Sequence, residues 1–211
     1  CNREVPAGGR YLIPEGKVMK EILSVGFPAI IMQAVGSFLT YGVNVIFGTL
    51  SASAVTAYGV YYKIQQFAFF AAFGMNNAMI PVIAFNYGSG DKERVRAGIR
   101  WGMMDTLVIM GVCLVVLEVC ASQIVGIFAL TQQTLTLCTR AVRTIALGYL
   151  FAGANIAYQG VFQALGRGVP SMVLCLVRQL LAALPLAWLF TLLPNPEVWC
   201  WAAFPVAEGI G

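Results

Sequence analysis

The sequence predicts an all-α membrane protein, a lobe of six transmembrane helices with the last incomplete, and three observations carry that prediction. Hydrophobic residues make up 59% of the 211 and charged residues only 10%, against about 45–50% and 25% in soluble domains. Too few charges remain to give a core of this size a polar skin. Long stretches carry no charge at all, the first running from Ile22 to Tyr62. Lysine and arginine alternate between the short connections, as they do when basic loops stay on one side of a bilayer.

Each element follows from the length of helix that a bilayer needs, about 20 mostly apolar residues, because every backbone amide must find its partner within the segment. Residues 1–22 are polar, hold Pro6, Gly8, Gly9 and Pro14, and read as a linker and the interfacial start of a helix. They contain no apolar core of a signal peptide. The run from Ile22 to Tyr62 is too long for one span. The small, polar stretch Gly48-Thr-Leu-Ser-Ala-Ser-Ala54 divides it into spans near 23–48 and 57–87. Gly88-Ser-Gly-Asp-Lys-Glu-Arg then releases the chain, and Asp91 and Glu93 suit the positive start of the next helix. Further spans are expected near 101–122, 143–165 and 170–193, and a sixth begins near Val198. Gly166-Arg-Gly-Val-Pro170 and Pro194-Asn-Pro196 punctuate them. Pro28 and Pro170 suit helix starts. A chain that opens on Cys1 and stops within its sixth apolar run reads as part of a longer protein.

On this count Arg3, Arg10, Lys17, Lys20, Lys92, Arg94, Arg96, Arg100 and Arg167 fall on one side and Arg140 and Arg143 on the other. That bias puts the N-terminal segment in the cytoplasm, and the host bilayer is expected to be the cell (plasma or inner) membrane. The net charge of +4 belongs to these loops and does not point to nucleic acid. With no histidine and no C-x-x-C pair among six cysteines, a zinc site of the usual Cys/His type is not expected, and the cysteines read as small apolar residues. No G-x-x-x-x-G-K-[ST] loop is present to hold ATP phosphates.

Polar residues within spans turn from lipid towards a helix interface or a wetted cavity. Gln33, Ser37, Tyr41 and Asn44 recur every three or four residues and share one face of the first span. The second span offers Gln66, Asn76 and Asn77, the fourth Asn155, Tyr158, Gln159 and Gln163. Arg178 lies about 12 Å into the fifth span and wants a partner or water, whereas Lys63 can snorkel to the interface. Asp105 and Glu118 read as interfacial. The cavity-lining set is therefore Gln33, Ser37, Tyr41, Asn44, Gln66, Asn77, Asn155, Tyr158, Gln159 and Arg178. Tyr41, Tyr61, Tyr62, Phe67 and Tyr158 are rings that suit flat organic cations.

Gly26-Phe-Pro-Ala-Ile-Ile-Met-Gln33, Tyr58-Gly-Val-Tyr-Tyr-Lys-Ile-Gln-Gln66, the segment Ile80 to Arg96, and Gln159-Gly-Val-Phe-Gln-Ala-Leu-Gly-Arg-Gly168 together resemble the C-terminal six-helix half of multidrug and toxic compound extrusion (MATE) transporters. The resemblance covers the chain from Lys20 onward. It implies half of a twelve-helix exporter that moves amphipathic, cationic organic compounds outward by alternating access, in exchange for protons or sodium ions, with no catalysis and no other cofactor. Its partners would be the small substrate, the bilayer and a missing N-terminal six-helix lobe. Some members carry acidic cation-binding residues where Gly36 and Asn155 stand here, so the resemblance places the coupling ion in the missing lobe. Two alternatives remain open. A flippase for lipid-linked sugars shares the build but wants a basic cavity. An intramembrane aspartyl protease is suggested only by Gly88-Ser-Gly-Asp91, but Asp91 stands in the most charged loop of the chain and Asp105 lies more than three helical turns further on.

Overall fold

A computed structural model describes residues 15–211, which are helical nearly throughout, with no strand among the described residues. Three long helices open the fold: α1 (Gly16–Gly48), α2 (Ala52–Gly88) and α3 (Lys92–Gly126). At 1.5 Å per residue each is about 50 Å or more, longer than the roughly 30 Å hydrocarbon layer. Their ends therefore stand in the headgroup region or the spans tilt. Most of the expected N-terminal linker, residues 1–14, lies outside the described residues, and helix begins at Gly16, well ahead of residue 23. Pro28 is consequently inside α1 and not at its start, where it removes one backbone hydrogen bond.

The turns are built as their residues dictate. The Ser51 hydroxyl accepts from the Ala54 amide at 3.1 Å and caps α2. Asp91 Oδ1 accepts from the Arg94 amide at 3.0 Å and caps α3, and its other oxygen lies 3.3 Å from Arg94 Nε. Gly90 adopts φ +77° between the two helices, a conformation that glycine takes without strain. Asp91 is thus the helix-start aspartate that its neighbours imply.

The fourth span differs from expectation. Helix begins at Gln132 and not near 143. It runs as α4 (Gln132–Ala146), bends by 51°, and continues as α5 (Tyr149–Ala164). Arg140 and Arg143, read as loop residues, lie on exposed turns of α4. Thr134, Cys138, Ala141, Val142 and Ile145 form its single buried stripe, a spacing that an average over the segment conceals. At the bend, a β-carbon on Gly148 would stand 2.8 Å from Pro205 Cα, so only glycine admits that neighbour.

The fifth span is α6 (Gly168–Leu176), a π-helical stretch (Val177–Ala183) and α7 (Leu184–Thr191). Pro185 supplies no amide to the residue four before it, and widening the turn re-pairs the freed carbonyls. A short α8 (Pro196–Trp199), a 3-10 turn and α9 (Ala203–Ile210) close the described chain. Among the described residues, α1, α2, α3 and the α6–α7 span are long and apolar enough to cross a bilayer, and bent α4–α5 makes a fifth. Residues 196–210 do not reach that length.

α2 packs against α1, α3, α4 and α5, and the core forms around it from Phe47, Tyr58, Tyr61, Met110, Tyr149, Ile156 and Trp201. Phe47 and Trp201 meet edge to face at 4.7 Å, and Tyr58 stacks on Phe204 at 6.0 Å. Large apolar side chains such as Phe67, Phe85 and Ile127 are exposed. In a soluble protein this would be a liability, whereas in a bilayer it is the lipid- or partner-facing surface.

Candidate functional site

The polar residues singled out in the sequence separate into two groups. Gln33, Ser37 and Tyr41 occupy successive turns of α1 and are all exposed, Tyr41 to 71%. Asn44 sits at the edge of this stripe, half-buried, its amide donating to the Thr40 carbonyl of its own helix at 2.8 Å. Gln66 and Asn77 are exposed on α2 and Tyr158 is partly exposed on α5. These side chains have no sealed packing within the lobe. Tyr61, expected among the substrate-facing rings, is instead 1% exposed, closed in by Tyr58 and Phe204. Tyr41 and Phe67 keep open faces, and Tyr62 is half-buried.

Asn155, Gln159 and Arg178 form the second, interior group, and the structure supplies the partner that Arg178 requires. Arg178 Nη1 lies 2.6 Å from Glu208 Oε2, with the two side chains 7% and 20% exposed. Asn155 Nδ2 donates to the same carboxylate oxygen at 3.1 Å and to the Glu208 carbonyl at 2.9 Å. One cluster thus ties α5, the π-helical stretch and α9 together. Its net charge is zero, the condition under which a buried carboxylate and guanidinium persist away from water. Arg178 Nε has no hydrogen-bond partner.

Glu208 was not among the residues selected from sequence, although a signal existed. Arg178 lies 13 residues before Thr191, the end of α7, and Glu208 lies 12 residues after Pro196, the start of α8. In two helices running back from one turn, such residues reach similar depth.

The interior polar row continues along the α5–α6 seam. Ser171, fully buried, donates to the Gln159 carbonyl and receives the Gln163 amide, each at 3.4 Å. The Gln159 side-chain nitrogen is buried without a partner. Asn76, also buried, packs its amide directly on Gly160, where any β-carbon would collide with it. Beyond Gln163 the row opens into a cavity of about 390 Å³ bounded by Pro28, Met32, Ile80, Arg167 and Pro170. Among the described residues no group of three or more Cys, His, Asp or Glu side chains converges as a metal site would.

Residues 28–189 match the MatE family model. Among curated proteins, the multidrug export protein MepA of Staphylococcus saprophyticus is 26% identical over 80% of the chain, and that of Staphylococcus haemolyticus 27% identical over 80%. The chain spans 37% of the length of each. Solved structures give the same fold. A multidrug resistance MATE family transporter in an outward-facing conformation superposes with a TM-score of 0.90 at 19% identity, over 99% of the chain and 47% of that transporter. A MOP superfamily transporter from Pyrococcus furiosus superposes at 0.89 and 19% identity, over 99% of the chain and 47% of its own.

Proposed function

Since the chain belongs to the MatE family, we propose that it forms one lobe of a secondary transporter that exports amphipathic, cationic organic compounds by alternating access. The observation that carries this reading is the exposed stripe Gln33, Ser37 and Tyr41 within the charge-free stretch of α1 that follows Glu21. Amide and hydroxyl groups that find no partner in their own lobe belong against water, substrate or a second lobe. The names of the MepA relatives, multidrug export proteins, support export of drugs, and the cationic, amphipathic character is our reading of the open rings and amide groups. The second lobe is a six-helix unit of the same transporter, consistent with the share of the relatives that the chain spans.

Within this reading the lobe faces its partner across a cavity, and the two rock to open it to each side in turn. Tyr41, Phe67 and Tyr158 offer open rings to a flat cation. Arg178 is already committed to Glu208, so among the described residues no free interior guanidinium faces a large anion, which favours the cation over a lipid-linked sugar. The driving proton or sodium ion binds in the other lobe, because the interior carboxylate identified here is neutralised in place. The N-terminal segment lies in the cytoplasm and the host bilayer is the cell membrane, as the basic loops suggest.

The test is efflux of a cationic dye from energised cells that express the longest native form of the protein. Export that collapses on dissipating the ion gradient, and that falls about tenfold or more in a Gln33→Leu, Ser37→Leu variant of unchanged abundance, is the expected result. Dye retention identical with and without the protein would refute it.

A further inference from the structure

A second cavity, of about 300 Å³, lies where the α2–α3 turn meets the end of α5. Tyr87, Asp91, Lys92, Val95, Arg96 and Leu165 line it. Lys92 and Arg96 are four residues apart and project from one face of α3. Neither has an ion-pair partner among the described residues. The nearest carboxylate in the turn, Asp91, is already engaged by the Arg94 amide and guanidinium. Two like charges one turn apart destabilise a helix, so this end of α3 is built in a way that an anion between them would relieve.

The surroundings specify what kind of anion. Tyr87 and Trp101 are each 56% exposed, and such rings mark headgroup depth in membrane proteins. Towards the middle of α2, Val82 and Phe85 are exposed and offer an apolar track of the sort that acyl chains cover. The inner wall of the cavity is also apolar, with Val95 and Leu165 packed on the cluster around Met79 and Ile83. A charged recess at the boundary, with exposed apolar side chains about one turn away along α2, fits a phosphate that carries hydrocarbon chains better than a free anion in water. We propose that this cavity seats the headgroup of an anionic phospholipid, with its phosphate between Lys92 and Arg96 and its chains along α2.

This inference does not depend on the transport reading, and binding alone tests it. The protein is placed in nanodiscs of phosphatidylglycerol and phosphatidylcholine with identical chains, and the lipids retained after release are counted by native mass spectrometry. Wild type should retain phosphatidylglycerol preferentially. K92Q/R96Q should lower that preference by up to about 25-fold, taking about fivefold for each basic residue near an anionic surface. L165W, which fills the recess and leaves both charges, should lower it as well. K17Q/K20Q, which removes two charges from the same end of the lobe outside the cavity, should lower it clearly less than K92Q/R96Q does. An unselective wild type, an unaffected L165W, or an equal loss in K17Q/K20Q would each overturn the proposal.

Discussion

Replacing Arg178 by methionine keeps most of the side chain's bulk and leaves Glu208 as an uncompensated carboxylate. The magnitude follows from two bounds. Breaking a buried ion pair in a soluble protein costs about 3–5 kcal/mol, and an unpaired charge at the centre of a membrane helix about 2.5–3.5 kcal/mol. Glu208 keeps the Asn155 amide at 3.1 Å and its side chain is 20% exposed, so R178M should lower stability by about 2.5 kcal/mol, at the low end of these bounds. E208Q, which leaves the guanidinium in a 7% exposed position, should lower it by about as much. In R178M/E208Q no charge remains, and the loss should be only about 2 kcal/mol, from hydrogen bonds and packing. The two substitutions then couple by about 3 kcal/mol, near the top of the range for residues in contact. Equilibrium unfolding in mixed micelles measures all four corners of the cycle. If the single effects add to within about 0.5 kcal/mol, the pair does not hold α5, the π-helical stretch and α9 together, and the argument built on it fails.

Other outcomes follow from single contacts. Gly160→Ala drives a methyl group into the Asn76 amide and should cost about 1–3 kcal/mol by overpacking. A second change, Asn76→Ala, should recover part of that loss in the same unfolding assay. Gly148→Ala should separate the α4–α5 bend from Pro205, visible as a lower melting temperature and faster proteolysis in the last helix. Pro185→Ala restores the missing amide. The widened turn at residues 177–183 should tighten and rotate Arg178 away from Glu208, and the coupling energy measured by the double-mutant cycle should fall by half or more.

The long spans were legible because lipid imposes a simple rule on length and charge. α1, α2, α3 and the α6–α7 span all announce themselves as charge-poor runs, and the turns between them by Gly90, Asp91, Gly166 and Pro194. α4 was hidden for a physical reason. Thr131-Gln-Gln-Thr-Leu-Thr-Leu-Cys-Thr-Arg is polar on average, yet its apolar and small residues fall on one stripe that the core buries. Within the candidate site, the α1 stripe was visible from helical spacing, because exposure there is set by one helix alone. Tyr61 and Glu208 depended on which helices become neighbours. The ring of Tyr61 is closed in by Tyr58 and by Phe204 from a segment 143 residues away. Glu208 stands in a short apolar stretch in which nothing local distinguishes it from an interfacial carboxylate.

Substituted-cysteine labelling tests the central claim most directly. Single cysteines at positions 33, 37, 41, 61 and 159, each in a background free of the native cysteines, are exposed to a charged, bilayer-impermeant thiol reagent in the membrane-embedded protein. Positions 33, 37 and 41 should react, and a cationic substrate should slow them, while 61 and 159 stay unreactive. Silence at all three α1 positions under every condition would mean that the stripe is sealed against a neighbour, and that no wetted cavity lies beside it.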